Sequence, residues 1–296
     1  MDKNREAARS ASRFPVVRHK ERRMLVEPFR IWQLSPRGVR IGGLMHEFVY
    51  LIKGDERAAL IDSGCGFGSL RQAVRSLTGL PLVVLLTHGH IDHAMGAGEF
   101  DEVWMDRRDI PVFHAHAPAE YRRAILRGAQ PRLEELPPMV PAADPARFLP
   151  LSDGACFDLG GVHLDVFECP GHTPGTVVVL LRELRTLVVG DACSNFTFLA
   201  GEECLPIPVY RQNLLRLKER LAGRFDVVLE AHGSGSLPAG ILDGVIEVCG
   251  DVLAGNTDDV PCTFAGVEGV LAKARRPRSQ LRADGKYGNI FYKKQL

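Results

Sequence analysis

Three imidazoles and one carboxylate crowd a six-residue stretch of the chain: His88, His90, Asp92 and His93. The stretch follows a short apolar run, residues 81–86, whose composition predicts a fully buried strand. Because such a strand fixes the root of the loop behind it, several side chains of that loop can turn toward one point. Neutral imidazole and carboxylate groups suit zinc and, less often, iron or manganese. The stretch therefore predicts a metal site.

Four more predicted strand ends carry a polar side chain: Asp62, His172, Asp191 and His232. A single histidine behind a strand is more often a capping or surface residue than a ligand. Here the groups form a set, and a glycine stands beside a histidine in three of the loops, which allows close approach of the backbone. We therefore expect these groups to converge with the histidine-rich stretch.

Predicted strands and helices alternate along the chain, and its two halves resemble each other weakly. Residues 83–89 and 227–233 both read Val-Val-Leu-x-x-His-Gly, so each half is predicted to deliver a histidine from the end of a buried strand. Two similar β-rich halves with helices between them favour an α+β fold, in which two sheets pack face to face and ligands converge at one edge. Helices are predicted over residues 68–77, 109–127 (interrupted by Pro111 and Pro118), 208–221 and 237–253.

A charged N-terminal arm, residues 1–23, is expected to precede a single domain over residues 24–296. Residues 106–147 form a helical and proline-rich insertion in that domain. Long irregular segments of compact domains are often functional, so the insertion is either a lid over the site or a plain surface connection. His114 and His116 lie within it and are either solvated or placed to shuttle protons.

The charge balance and the pattern of apolar residues exclude several classes of partner. The 296 residues carry 37 basic and 36 acidic side chains, a formal net charge of +1, which favours a small-molecule substrate over nucleic acid or a membrane. We expect no transmembrane helix and, since no hydrophobic signal core follows Met1, a cytoplasmic location. The seven cysteines are scattered without a Cys-x-x-Cys pair, which favours reduced thiols. A predicted late strand, residues 287–292, and the charged arm are compatible with a homodimer.

The motifs, taken together and in order, resemble those of the metallo-β-lactamase-fold hydrolase superfamily. The resemblance implies a four-layer αββα sandwich, with two mixed β-sheets, helices on the outer faces and metals at one end of the sheets. The matching pieces are Leu60-Ile61-Asp62-Ser63-Gly64, Thr87-His88-Gly89-His90-Ile91-Asp92-His93, Pro170-Gly171-His172-Thr173-Pro174-Gly175, Gly190-Asp191 and Ala231-His232-Gly233.

Carried over position by position, the resemblance implies a dinuclear site with two Zn²⁺ ions, or iron or manganese in their place. The residues that would hold the first metal are His88, His90 and His172. The residues that would hold the second are Asp92, His93 and His232, with Asp191 bridging the two. Asp62 matches a residue that braces the metal loops without binding metal.

The same carry-over implies hydrolysis by a water held between the two metals. Two cations lower the pKa of such a water toward neutrality, and Asp92 or Asp191 would pass its proton to the leaving group. Phe196 and Phe198 follow Asp191 on a loop expected beside the metals. They either line an apolar pocket or pack the loop.

The ligand set and the absence of nucleic-acid signals favour a small carbonyl substrate, such as a thioester, a lactone or an ester. Glyoxalase II-like thioesterases resemble the chain in their ligands, although their loop usually has a further histidine at the position of Gly89. Acyl-homoserine lactonases usually have a tyrosine where this chain has Ser194. Three alternatives stay open: an iron-dependent oxidoreductase of the same fold, similar to sulfur dioxygenases, a phosphodiesterase, and a metal-binding protein without catalysis.

Overall fold

Two large mixed sheets form the centre of the molecule, for which a computed structural model describes residues 23–294. The first sheet is antiparallel from β1 to β5 and parallel from β5 to β8. Its eight strands follow chain order: β1 (Arg23–Val26), β2 (Phe29–Gln33), β3 (Gly38–Gly42), β4 (Phe48–Lys53), β5 (Ala58–Ile61), β6 (Leu82–Leu85), β7 (Val103–Met105) and β8 (Leu149–Pro150).

The second sheet has six strands in the order β15-β14-β12-β11-β10-β9. Only the pair of β12 and β14 is parallel within the described part of this sheet. A helix joins these two strands, as a parallel connection requires. The strands are β9 (Cys156–Asp158), β10 (His163–Glu168), β11 (Val177–Leu181), β12 (Thr186–Gly190), β14 (Val227–Glu230) and β15 (Leu237–Pro238).

Helices cover the outer face of each sheet. Those on the first sheet are α1 (Leu70–Arg75), α2 (Ile91–Ala94), α3 (Ile110–His116) and α4 (Ala119–Ala129). Those on the second are α5 (Ile207–Leu221) and α6 (Ile241–Ala254). Single 3₁₀ turns lie at Ala97–Glu99, Arg107–Asp109 and Pro145–Arg147. No helix of residues 23–294 is long and apolar enough to cross a membrane.

Side chains alternate between the two faces of each strand, so most apolar residues divide among three large cores. These cores separate the four layers of the sandwich. Leu60 of β5 faces outward and packs with Val74 of α1, whereas its neighbour Ile61 faces the second sheet. In β11, Val178 faces outward toward α5 and α6, whereas Val179 faces the first sheet. Successive side chains of a strand point to opposite faces, so a fully apolar strand contributes side chains to two cores. The predicted α+β sandwich of two mixed sheets with helices on the outer faces is confirmed.

Several predicted element bounds differ from those of the structure. The first helix is shorter than residues 68–77, because the Ser69 side chain accepts a hydrogen bond from Gln72 N and caps it. Residues 109–127 form two helices, which separate at Pro118. The last long helix begins at Ile241, not at residue 237, because residues 237–238 pair with β14.

A third, four-stranded sheet was not predicted, apart from its late strand. Its strands lie in the order β13-β18-β17-β16. Through this sheet the segment that follows β12 pairs with the C-terminal part of the chain. The rings of Phe196 and Phe198 stack on Phe291 with centroid distances of 5.4 and 5.5 Å. Its strands are β13 (Thr197–Leu199), β16 (Val260–Phe264), β17 (Val267–Leu271) and β18 (Ile290–Tyr292).

The predicted arm over residues 1–23 lies outside the described residues except for its last position. The predicted insertion, residues 106–147, contains α3 and α4 followed by irregular chain that leads into β8. A small apolar cluster packs this irregular chain against the loop after β5, with Cys65, Phe67 and Leu126 at its centre and Met139 beside them. The division into an arm and one domain with an insertion stays a prediction.

Candidate metal centre

The seven predicted ligands come from both large sheets and meet at one end of the sandwich. The first sheet contributes the loop after β6, in which helix α2 begins directly behind His90. The second sheet contributes His172 from the loop after β10, Asp191 from the end of β12 and His232 from the end of β14. Their nitrogen and oxygen atoms form three overlapping groups, and the atoms of each group lie within 4.8 Å of one another.

Three histidines form the first group: His88, His90 and His172. Nδ1 of His90 lies 3.2 Å from Nε2 of His88 and 2.9 Å from Nε2 of His172. An imidazole that donates through one ring nitrogen carries a lone pair on the other. The outward nitrogens do have acceptors: Thr87 Oγ1 at 3.1 Å from His88 Nδ1, Glu203 Oε1 at 3.2 Å from His90 Nε2, and the Phe198 carbonyl at 2.8 Å from His172 Nδ1. Three lone pairs therefore converge, an arrangement that a cation would satisfy.

Asp92, His93 and His232 form the second group. Oδ2 of Asp92 lies 3.1 Å from Nε2 of His232 and 3.8 Å from Nε2 of His93. The other ring nitrogen of His93, Nδ1, lies 2.8 Å from a carboxylate oxygen of Asp62. His93 therefore points its Nε2 toward the centre of the group.

Asp191 lies between the two groups. Its Oδ2 is 3.6 Å from Nε2 of both His93 and His232, and 3.7 Å from Nε2 of His172. One carboxylate oxygen thus faces nitrogens of both groups, as the predicted bridging role of Asp191 requires.

The residues present fit divalent metal ions. Nε2 of His93 is buried and, among the described residues, has no hydrogen-bond partner. Ligands held at about 2.1 Å by a tetrahedral ion lie about 3.4 Å from one another. The separations quoted above within the two groups run from 2.9 to 3.8 Å. Nε2 of His93 is thus a buried nitrogen without a partner among the described residues, surrounded by imidazoles and carboxylates at these spacings. A bound metal ion would satisfy it.

The charges of the two groups differ. Burial and the neighbouring imidazoles lower the pKa of His172 to about 4 and that of His88 well below its usual range. Burial also acts to lower the pKa values of His93 and His232, but the carboxylates around them outweigh it; that of His232 is raised to about 9 and that of His93 well above its usual range. The imidazoles of His88 and His172 are thus neutral, whereas in the metal-free protein those of His93 and His232 are protonated and paired with the carboxylates around them.

Asp62 holds the loop after β6, which carries four of the candidate ligands, in place. Its carboxylate accepts hydrogen bonds from the backbone N–H and the hydroxyl of Thr87, at 2.7 and 2.9 Å, besides that from His93. Its own backbone has a φ of +66°, a left-handed conformation that costs other side chains more than Asp or Asn. Asp62 lies where the resemblance implied a bracing residue.

Asp109 ties the two metal loops together, although no sequence motif marks it. Its buried carboxylate accepts from the Gly89 N–H at 2.7 Å, the Thr173 hydroxyl at 2.7 Å and the Gly175 N–H at 2.6 Å. A Cβ at Gly89 would lie 2.7 Å from the carbonyl oxygen of Asp109, and one at Gly175 would lie 2.7 Å from its Oδ1. Both glycines therefore allow the start of the insertion to approach the metal loops.

Three further residues near the metal groups were missed or misjudged. His116 stacks on His90 with a centroid distance of 4.8 Å and an interplanar angle of 13°, and its Nδ1 accepts from the Ile91 N–H. His116 is therefore half-buried against a candidate ligand and not simply solvated. Glu47 is buried beside the loop after β5, and burial and the charge of Asp92 raise its pKa. Glu203, which accepts from His90, was not considered.

The family model of the metallo-β-lactamase superfamily matches residues 42–232, which is well over half of the 296 residues. The probable metallo-hydrolase YqgX of Bacillus subtilis is 27% identical over 190 residues, which are 62% of this chain and 83% of that protein. The acyl-coenzyme A thioesterase MBLAC2 of Gallus gallus is 29% identical over 208 residues, which are 62% of this chain and 71% of that protein.

Solved structures show the same fold. A metallo-β-lactamase from Pontibacter korlensis aligns with a TM-score of 0.51 and 16% identity, over 78% of this chain and all of that one. The sec-alkyl sulfatase PisA1, as a double mutant, aligns with a TM-score of 0.57 and 15% identity, over 85% of this chain and 52% of that one. At such identities the likeness concerns the fold alone. Together with the match of the family model, it shows that this chain belongs to the metallo-β-lactamase superfamily of metallo-hydrolases.

Proposed function

We propose that the protein is a dinuclear zinc hydrolase that cleaves an acyl thioester. The observation that carries the proposal is the convergence of two ligand groups on the shared oxygen of Asp191. The first metal would be held by His88, His90 and His172. The second would be held by Asp92, His93 and His232, with Asp191 between them.

Two bound metal ions supply Lewis acidity toward a carbonyl oxygen and a water made acidic enough to attack at neutral pH. The residues of the chain do the rest. Asp191 and Asp92 are both partly exposed, with 22% and 17% of the side chain accessible, so their carboxylates can reach a bound substrate. Either one can carry a proton from the attacking water to the leaving group.

A thioester suits this machinery better than an ester or a lactone. A thiol has a pKa of about 8.5, so a thiolate is a good leaving group from a thioester without prior protonation. The reaction therefore needs little help from a general acid. Ser194 stands where lactonases usually have a tyrosine, and Tyr210 is fully buried with its hydroxyl donated to the Ala192 carbonyl. The similarity to an acyl-coenzyme A thioesterase at 29% identity supports the same choice.

An aromatic cluster beside the first metal group supports an apolar acyl chain. The ring of Phe198 lies 6.1 Å from that of His172, and Phe264 lies 6.0 Å from Phe198. Phe198 is partly buried, whereas 49% of Phe264 is exposed at the end of β16. An acyl chain that left the metals along Phe198 would reach Phe264 and cover it.

The proposal is tested by measuring the metal content of the purified protein and its turnover of acyl thioesters, lactones and phosphodiesters. We expect about two zinc ions per chain and turnover of thioesters before the other classes. His90→Ala and Asp92→Asn should each lose several kcal/mol of metal-assisted stabilisation, which is on the order of a thousandfold in turnover.

His163→Ala is the matched control, because His163 lies at the other end of β10 from the His172 loop and contacts Glu183 at 2.8 Å. It should keep full turnover. A native protein with iron that consumes oxygen on a persulfide, or one that cleaves only phosphodiesters, would contradict the proposal.

A further inference from the structure

One short segment contacts the outward nitrogens of two histidines of the first metal group. The Phe198 carbonyl accepts from His172 Nδ1 at 2.8 Å, and Oε1 of Glu203 lies 3.2 Å from His90 Nε2. The segment that carries both, residues 198–203, begins in β13 and belongs to the connection to α5. The metal-facing orientation of these two rings thus depends on one piece of chain.

We propose that Glu203 is a positioning residue for the metal centre: it accepts the Nε2 proton of His90 and thereby presents His90 Nδ1 to the first metal. The inference rests on the proposed metal site, but not on the identity of the substrate. Glu203 has no contact with the metal groups other than through His90 in the described structure, so its effect passes through that ring.

Two contacts at right angles fix the His90 ring. His116 stacks on one face with an interplanar angle of 13°, which sets the plane of the ring. Glu203 lies at its edge, which sets the direction within that plane. An imidazole without an acceptor on its outer nitrogen can take the other tautomer and turn its lone pair away from the metal.

The carboxylate of Glu203 is itself held in place. Its side chain folds back over Gly201, where a Cβ would collide with the carboxylate. The chain just beyond is anchored by the hydrogen bond from Leu205 N to the Gly171 carbonyl, at 2.8 Å, next to His172. Only 28% of the Glu203 side chain is exposed. The acceptor is therefore preorganised by the same loop that carries a metal ligand.

The experiment compares Glu203→Leu and Glu203→Gln with Glu202→Leu, whose exposed side chain is the neighbouring control. Zinc affinity of the folded proteins is measured by competition with a chromophoric chelator, without substrate. Loss of a partner behind a metal-bound histidine typically weakens metal affinity by about 10–100-fold. We expect that loss for one zinc ion in Glu203→Leu, a smaller loss in Glu203→Gln, which keeps a neutral acceptor, and none in Glu202→Leu.

A second measurement does not depend on affinity. In the zinc-loaded protein the Nε2 proton of His90 should give a slowly exchanging, downfield NMR signal, which Glu203→Leu should lose and Glu202→Leu should keep. Equal zinc affinity in Glu203→Leu and the native protein, or an unchanged signal, would overturn the proposal. A native protein that binds two zinc ions but cleaves no thioester would contradict the proposed function alone.

Discussion

Asp109 is a residue whose loss should destabilise the loops around the metal groups without removing a candidate ligand. Asp109→Ala leaves three donors without their acceptor: the N–H groups of Gly89 and Gly175 and the hydroxyl of Thr173. Buried donors left unpaired cost about 1–3 kcal/mol each, and relief from burying a carboxylate offsets part of this. We expect a loss of about 2–3 kcal/mol in the free energy of unfolding of the metal-free protein, measured by urea denaturation.

Asp101→Ala is the control for this prediction. The Asp101 side chain is 84% exposed and, within residues 23–294, pairs only with Arg71, so its removal should change stability by less than about 0.5 kcal/mol. Equal midpoints and slopes for the two variants would show that Asp109 does not tie the loops together.

Residue types and strand ends were sufficient to name the seven candidate ligands and Asp62. Each of these follows a short apolar run, and a histidine or aspartate at that place stands out from its surroundings. Asp109 and Glu203, and the contact that His116 makes, could not be found in this way, because these residues lie in loops or helix ends where polar residues are ordinary. Their importance depends on contacts with residues far away in the chain, and no local pattern records those contacts.

The buried guanidinium of Arg122 attaches helix α4 to the end of the first sheet where the candidate metal ligands lie. Only 1% of Arg122 is exposed, and its guanidinium donates to the carbonyls of Val140, Gly66 and Cys65 at 2.8, 2.9 and 3.3 Å. Since these acceptors lie in the loop after β5 and in the irregular chain after α4, one side chain joins three segments. The insertion is thus a packed part of the domain at this point.

We expect Arg122→Ala to lower the free energy of unfolding by about 3 kcal/mol, because it leaves buried carbonyls unpaired and a cavity behind. The neighbouring Arg123 is exposed on the same helix, and Arg123→Ala should have almost no effect. Chemical denaturation checks both values, and limited proteolysis between residues 130 and 147 should accelerate only in Arg122→Ala. Similar stability of the two variants would contradict this account of α4.

The hairpin of β16 and β17 presents Phe264 at its tip, next to the aromatic cluster. If an acyl chain covers this ring, Phe264→Ser should lower kcat/KM for a long-chain thioester about tenfold, the equivalent of about 1.4 kcal/mol of apolar contact. Turnover of an acetyl thioester should stay unchanged. Leu253→Ser, on the exposed side of α6, is the control. Equal effects on long and short chains would exclude a role of the hairpin in acyl binding.

The third sheet shows why part of the fold was not predictable. Strands β13 and β18 have three residues each and pair across most of the second half of the chain. Three residues are too few to show alternation, and their pairing is visible only once the sheet exists. The centres of the two large sheets were predictable because strands such as β5, β6 and β11 have four or five residues, are wholly apolar and are bounded by turn residues.

At the scale of the whole molecule, metal would join the two sheets. Ligands from the loop after β6 belong to the first sheet, and those after β10, β12 and β14 to the second. A ligand that binds only the folded state stabilises it by about 4 kcal/mol at a thousandfold excess over its Kd. Removal of metal with a chelator should therefore lower Tm by about 10 °C, as measured by calorimetry, and added zinc should restore it.

His93→Ala supplies the comparison for metal removal. This variant lacks a ligand of the second group, so the chelator should shift its Tm by clearly less than it shifts that of the native protein. A native Tm that is the same with and without the chelator would show that metal does not join the sheets.

The order of the ligands along the chain has a consequence for how the protein is made. Synthesis delivers His88, His90 and His172, the whole first group, before β14 and His232 leave the ribosome. A nascent chain could thus capture one metal early, while the second group stays incomplete until the parallel partner of β12 arrives. Loading would then follow the direction of translation.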